Sequence, residues 1–321
     1  MKLSVLTVPL QGTPAEQAFA YLHSLGVEQV ELGTGGYTVD CHVGVADCLN
    51  DEGKLHALQD LLAKNELTIS ALSCHGNPVH PDKAIAEGFH QVFVDTCRLA
   101  QKLGVETVVG FSGCPGDCPE SKRPNWVTCA WPNEYGEILE WQWNEVLIPY
   151  WKEAADIARS YGVKRIAFEM HPGFCVYNPR TLLRLREAVG DIIGANFDPS
   201  HLIWQGMDPV AAIRELEGAI YHFHAKDTRI DPYNCAKNGV LDTQSFGNLA
   251  GRSWIFRTVG YGTDTKSWKD MLSALRLAGY DGAISIEHED GLMSPREGLE
   301  KAVSFLKDLL IREDPAAMWW S

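Results

Sequence analysis

Four stretches in the second half of the chain carry side chains able to do chemistry on a small molecule. They are Phe168-Glu169-Met170-His171-Pro172, Asn196-Phe197-Asp198-Pro199-Ser200-His201, Tyr221-His222-Phe223-His224-Ala225-Lys226-Asp227 and Ser285-Ile286-Glu287-His288-Glu289-Asp290. Each begins in a β-rich apolar run and turns polar at its end. Polar groups there are expensive to bury unless they are paired or bound to an ion. Alternation along a strand puts Glu169 with His171, His222 with His224 and Lys226, and Glu287 with Glu289, each set on one side. Taken one per stretch, Glu169, Asp198, His224 and Glu287 form three carboxylates and one imidazole. This hard, oxygen-rich set suits a divalent ion, Mn²⁺ first, with Mg²⁺, Co²⁺ or Zn²⁺ as alternatives. An octahedral ion held by four side chains keeps two positions for adjacent oxygens of a sugar, a carbonyl and its neighbouring hydroxyl. Any single member could equally be a strand-end ion pair; four on successive strands make the signal.

The elements that must position these groups alternate through the whole chain. Strand-like runs fall at 3–8, 29–33, 68–75, 106–113, 164–172, 194–201, 219–227 and 283–290, with helical periodicity at 13–25, 55–64, 88–103, 141–161, 179–189, 209–217, 267–278 and 295–311. Several helices end in Gly followed by an apolar residue, as in Leu25-Gly26-Val27, Leu103-Gly104-Val105, Tyr161-Gly162-Val163 and Ala278-Gly279-Tyr280. Glycine closes a helix in the left-handed conformation and the next residue opens a strand. Repetition of this αβ punctuation specifies right-handed βαβ units and a parallel sheet. Eight units predict an α/β fold, a (β/α)8 TIM barrel forming a single domain over 1–321. A doubly wound sheet is the other candidate, but no strand runs into a G-x-G-x-x-G helix opening. Two βα loops are long, 114–140 after strand four and 228–266 after strand seven. Both belong at the C-terminal face, where barrel active sites are built, and their aromatic residues predict ordered lids.

Composition narrows the function class. The 321 residues are 45% hydrophobic and 22% charged, an ordinary globular balance. A net charge of −14 without a basic block argues against a nucleic-acid partner. No stretch approaches the roughly 18 apolar residues of a membrane span, and the first residues lack the pattern of a secretory signal. A cytoplasmic protein is expected, its nine cysteines reduced. Cys114, Cys118 and Cys129 match no compact zinc spacing. The aromatic tail Met318-Trp319-Trp320-Ser321 is expected to dock on the barrel or a neighbouring subunit. The expected partners are a sugar and further copies of the chain, with room for an accessory subunit.

The four motifs, in this order, resemble the xylose isomerase-like TIM barrel superfamily. Within it they look most like the sugar phosphate isomerase/epimerase group, which includes ketose 3-epimerases, inosose dehydratase and hydroxypyruvate isomerase. The resemblance spans the barrel and is strongest from about 164 to 290. It implies Glu169, Asp198, His224 and Glu287 as metal ligands, with Glu169 and Glu287 also exchanging protons with the substrate carbon. It further implies that His201 holds a substrate oxygen. The chain departs from the epimerases after strand seven: Ile230 stands where they carry Arg, and Arg229 falls one residue short.

The expected activity is therefore metal-dependent isomerisation or epimerisation of a sugar or keto-sugar through an enediolate. The alternative is a lyase, dehydratase or deglycosidase acting on a 3-keto sugar, glycoside or inosose, with Lys226 and His171 assisting the leaving oxygen. His75, His171, Lys226, Arg229 and Trp131 are further candidates for substrate contact. His222 and Asp227 are candidates to orient their neighbours, and Trp126 to stack on a ring or plug a lid.

Overall fold

The structure is a computed structural model and describes residues 1–318 and Trp320. Trp319 and Ser321 of the aromatic tail lie outside the described residues, while Met318 and Trp320 are 58% and 68% exposed. The strands are β1 (Lys2–Leu6), β2 (Gln29–Gly33), β3 (Thr68–Ser73), β4 (Thr107–Gly110), β5 (Arg165–Glu169), β6 (Ile193–Phe197), β7 (Ile220–Ala225), β8 (Asp227–Ile230), β9 (Trp254–Arg257) and β10 (Ala283–Ile286). Eight of them close a parallel barrel in the order β1-β10-β7-β6-β5-β4-β3-β2. Closure sets Ser4 of β1 opposite Ser285 of β10, and Ser285 in turn opposite His224 of β7. The expected (β/α)8 barrel is what the chain forms.

The helices follow from their end signals. Asp208, Asp264 and Ser294 each accept a backbone N–H at the start of Pro209–Glu215, Thr265–Leu277 and Pro295–Lys307, a cap worth about 1 kcal/mol. Gly104 ends Lys83–Leu103 in the left-handed conformation at φ 70°. Their apolar faces bury Phe93, Trp151, Leu182, Leu185, Trp268 and Leu275 against the outside of the barrel. Among the described residues, no helix is long and apolar enough to cross a membrane. All nine cysteines are free.

The strand ends differ from the sequence expectation in an instructive way. The run at 194–201 stops at Phe197, because Asp198 accepts the Ser200 N–H and starts the short helix Pro199–Trp204 with Pro199 in its first turn. The runs at 219–227 and 283–290 leave the barrel at Ala225 and Ile286. The 228–266 segment is not plain loop. It carries the helix Pro232–Asn238 and β9, which pairs antiparallel with β8, Thr228 facing Phe256 and Ile230 facing Trp254. In 114–140 an irregular stretch gives way to the helix Asn133–Trp141, which continues through a π-helical turn at Gln142–Leu147 into Ile148–Ser160.

Candidate active site

Four side chains meet where β5, β6, β7 and β10 end. Glu169 is the last residue of β5, Asp198 follows β6, His224 lies near the end of β7, and Glu287 follows β10, its N–H donating to Ala225 O of β7. One oxygen or nitrogen from each lies within 4.8 Å of every other. His224 Nδ1 stands 2.9 Å from Glu287 Oε2 and 3.4 Å from Glu169 Oε2. Side-chain exposure is 2% for Glu169, 0% for Asp198 and His224, and 15% for Glu287.

The residues fit a divalent cation by a test independent of any family. His224 Nδ1, Asp198 Oδ2 and Glu287 Oε2 are all buried, and none has a hydrogen bond of acceptable alignment. Buried polar atoms left in that condition are unusual and call for a partner. Three such atoms within 4.8 Å of one another form a donor set that could hold an ion.

Charge inside this cluster is arranged around Lys226, which is 2% exposed. Its Nζ lies 3.1 Å from Asp198 Oδ2, 2.9 Å from Glu287 Oε2 and 3.0 Å from Glu289 Oε2, and 4.7 Å above the Phe256 ring. Burial pushes the Asp198 carboxyl up to about 7, outweighing the attraction of Lys226, and Glu169 and Glu287 add to the rise. For Glu287 burial works in the same direction but loses: Lys226 and His224 bring its carboxyl down to about 2. Burial and Lys226 thus act with opposite net effect on two carboxyl groups in one pocket. Burial, reinforced by His171 and Lys226, lowers His201 to about 3 and keeps its ring neutral.

The other sequence-predicted residues divide into two groups. His75 Nε2 lies 3.0 Å from Glu169 Oε2, and His201 Nε2 lies 2.8 Å from Glu169 Oε1 and 3.3 Å from Asp198 Oδ2. His171 packs against His201 with ring centroids 4.1 Å apart and tilted by 55°, and donates through Nδ1 to Pro172 O at 2.6 Å. These three and Lys226 therefore join the cluster. Arg229 and Trp131 do not. Arg229 points to solvent from β8, which belongs to the outer ribbon rather than to the barrel mouth. Trp131 is 74% exposed in the 114–140 segment. Trp126 packs edge-on against Tyr177 at 5.4 Å, a structural contact. Asp227 is an anchor outside the cluster, accepting N–H groups from Thr228, Gly260, Gly262 and Thr263 and from the Trp268 indole.

A cavity of about 280 Å³ opens onto the cluster, lined on its reactive side by His75, Glu169, His171, Lys226, Glu287 and Glu289. Further lining comes from Leu6 at the end of β1, from Val8, Pro9 and Gln11 after it, and from Tyr37 and Thr38 after β2, none of which the sequence marks as site residues. Phe111 joins them, stacked on Phe174 at 4.2 Å and edge-on to His75 at 4.5 Å. Among the described residues lining it, none comes from 114–140. The 228–266 segment reaches the cluster through Phe256, edge-on to His201 at 5.3 Å. Of the two expected lids, one touches the site.

A second omission is Glu31, fully buried in β2 and bonded to His222, His224, Ser73 and Ser285. Its signal was a lone charged residue between Val30 and Leu32 in a buried strand.

Comparison with known proteins agrees with this architecture. Residues 19–309 match the family described as xylose isomerase-like TIM barrel. The chain is 40% identical to YfiH of Bacillus subtilis across 97% of its own length and 99% of that protein. It is 26% identical to an inosose dehydratase of Geobacillus thermodenitrificans across 53% of its own length and 56% of that enzyme, so this likeness covers about half of each. The solved structure of the IolI protein with a bound zinc atom superimposes with a TM-score of 0.65 at 18% identity, covering 97% of this chain and 98% of that one. The protein therefore belongs to the xylose isomerase-like TIM barrel family.

Proposed function

We propose that the protein is a divalent-cation-dependent isomerase or epimerase that moves a proton at the carbon beside the carbonyl of a sugar or keto-sugar. The observation that carries this reading is the meeting of Glu169, Asp198, His224 and Glu287 within 4.8 Å at the mouth of the barrel. A bound cation, Mn²⁺ by the hardness of this donor set, would supply positive charge that stabilises an enediolate. The remaining work belongs to side chains. Glu169 and Glu287, on opposite flanks of His224, take and return the proton. His75 hydrogen-bonds one Glu169 oxygen and His201 Nε2 stands 2.8 Å from the other, flanking that carboxylate. Tyr37 and Phe111 present apolar rings to the cavity, suited to the C–H face of a sugar.

A second reading is favoured by one feature. The Lys226 ammonium, buried beside Asp198, Glu287 and Glu289 and lining the cavity, would offset the negative charge that grows on a departing hydroxyl or alkoxyl. The same proton abstraction then ends in elimination, as a dehydration of an inosose or the cleavage of a 3-keto glycoside. The likeness to an inosose dehydratase over half the chain supports including cyclic keto-polyols among the substrates.

The test is incubation of the Mn²⁺-loaded protein in D₂O with a panel of ketoses, 3-keto sugars and inososes. Deuterium entering the carbon beside the carbonyl, lost on chelation, is the expected result. Wash-in with recovered stereoisomers supports isomerisation or epimerisation; loss of water or aglycone supports elimination. A broad panel with no exchange at all sinks both.

A further inference from the structure

We propose that Glu31 is a positioning residue that commits His224 to bind the cation through Nδ1. The inference rests on the cation-dependent reading above and adds to it a residue from the far side of the barrel. Glu31 lies on β2, His222 and His224 on β7, Ser73 on β3 and Ser285 on β10. Three strands thus aim four donors at one carboxylate carried by a fourth.

The hydrogen-bond accounting at Glu31 is complete. Oε2 accepts from His222 Nε2 at 2.8 Å and from Ser285 Oγ at 2.7 Å. Oε1 accepts from His224 Nε2 at 2.9 Å and from Ser73 Oγ. The residues are between 0% and 1% exposed, so water does not take part. A carboxylate is an acceptor only, so both imidazoles must carry their proton on Nε2. Glu31, His222 and His224 lie close enough to suggest a second metal cluster, but the four donors already occupy the Glu31 oxygens, and none of these bonded atoms is left without a partner. The group reads as a hydrogen-bonded anchor.

The consequence appears on the other edge of the His224 ring. With Nε2–H tied to Glu31, Nδ1 is turned to the cluster, 2.9 Å from Glu287 Oε2 and 3.4 Å from Glu169 Oε2, and has no aligned hydrogen bond. A metal-binding histidine needs one nitrogen as donor to a support and the other as a lone pair. Glu31 supplies the support as a full negative charge, which also makes Nδ1 a better donor to a cation. His222 and the two serines keep Glu31 from rotating away.

The test uses Glu31→Gln in the full-length protein, which preserves shape and removes the charge. Zn²⁺ affinity is read by chelator competition, and geometry by the d–d absorption of the Co²⁺-loaded protein. The expected result is a 10- to 100-fold weaker Zn²⁺ affinity and an altered Co²⁺ spectrum, with a metal-free protein that still melts cooperatively. A folded E31Q protein with wild-type affinity and spectrum overturns the proposal. Should E31Q not fold, the wild type decides by ¹⁵N-detected histidine spectra during Zn²⁺ addition: the His224 Nδ1 resonance is expected to shift while Nε2 keeps its proton. Ligation through Nε2 overturns the inference. Wild-type protein that binds neither Zn²⁺ nor Mn²⁺ refutes the cation-dependent reading itself, an outcome separate from equal binding by wild type and variant.

Discussion

Lys226 Nζ sits 2.9 Å from Glu287 Oε2 in a pocket that hides the lysine almost completely, and the same ammonium is 3.1 Å from Asp198 Oδ2. These two oxygens also belong to residues of the proposed cation set. An internal cation and an external one therefore address the same carboxylates. Lys226→Met should tighten Zn²⁺ or Mn²⁺ binding by about tenfold or more, because repulsion between charges a few ångströms apart is lost. It should also destabilise the metal-free protein by about 3–5 kcal/mol, the usual cost of leaving buried charge unpaired. Isothermal titration and metal-free melting curves read the two effects, which have opposite signs. Weaker ion binding in the variant would mean that Lys226 organises the carboxylates more than it repels the cation.

Glu169 stands beside three histidines, His75 Nε2 at 3.0 Å, His201 Nε2 at 2.8 Å and His224 Nδ1 at 3.4 Å. Glu169→Gln keeps the volume and removes the base. Isotope exchange at the substrate carbon is expected to fall by about 10²- to 10⁴-fold. Wild-type exchange rates in a metal-loaded Glu169→Gln protein would remove this residue from the chemistry.

The ion's affinity should rise with pH. Burial raises Asp198 from 3.8 to about 7 in the metal-free protein, and His224, charged against the effect of burial by Glu31 and Glu287, lies well above 6.5. A cation takes the ionised carboxylate and the free Nδ1, so binding must expel these protons. From pH 5.5 to 7.5 the affinity is expected to climb by up to tenfold per unit for each proton displaced. For the metal-free fold the sign is reversed at Asp198. Its native form holds a proton that the unfolded chain has released, so this stabilisation is full below about pH 4 and is lost as pH rises through 7. Chelator competition across the pH range, beside metal-free denaturation, separates the two slopes. A pH-independent affinity would contradict the proton release.

Asp227 gathers the segment that returns from the outer ribbon to the barrel. Its oxygens accept the N–H groups of Gly260, Gly262 and Thr263, and its Oδ2 accepts the Trp268 indole at 3.1 Å. Asp227→Ala is expected to cost about 2–4 kcal/mol, since several buried donors lose a charged acceptor together. Urea denaturation checks the magnitude, and faster hydrogen exchange across 258–263 identifies the segment released. Unchanged exchange there would show that Asp227 is not the anchor.

Much of the site was legible from local pattern. Glu169, Asp198, His224 and Glu287 each end an apolar run, and period-two alternation places His222, His224 and Lys226 on one side of β7. Glycine turns such as Leu103-Gly104-Val105 mark where helices stop, and Asp198-Pro199 carries the cap that ends β6 and opens a helix. These are short-range effects, dictated by the few residues around them. Glu31 could not be assigned in this way. Nothing near it in the chain is its partner: His222 and His224 are more than 190 residues away, and only barrel closure, with β10 lying between β1 and β7, brings Ser285 and both imidazoles to the β2 carboxylate. The same holds for the cavity wall, built from the ends of β1 and β2 rather than from the 114–140 loop. Residue type and periodicity by themselves determined the barrel and the four strand-end groups. Which distant groups face them, and which nitrogen of His224 is turned toward the proposed cation set, was decided by the closed sheet, because strand register sets distances that no local signal encodes.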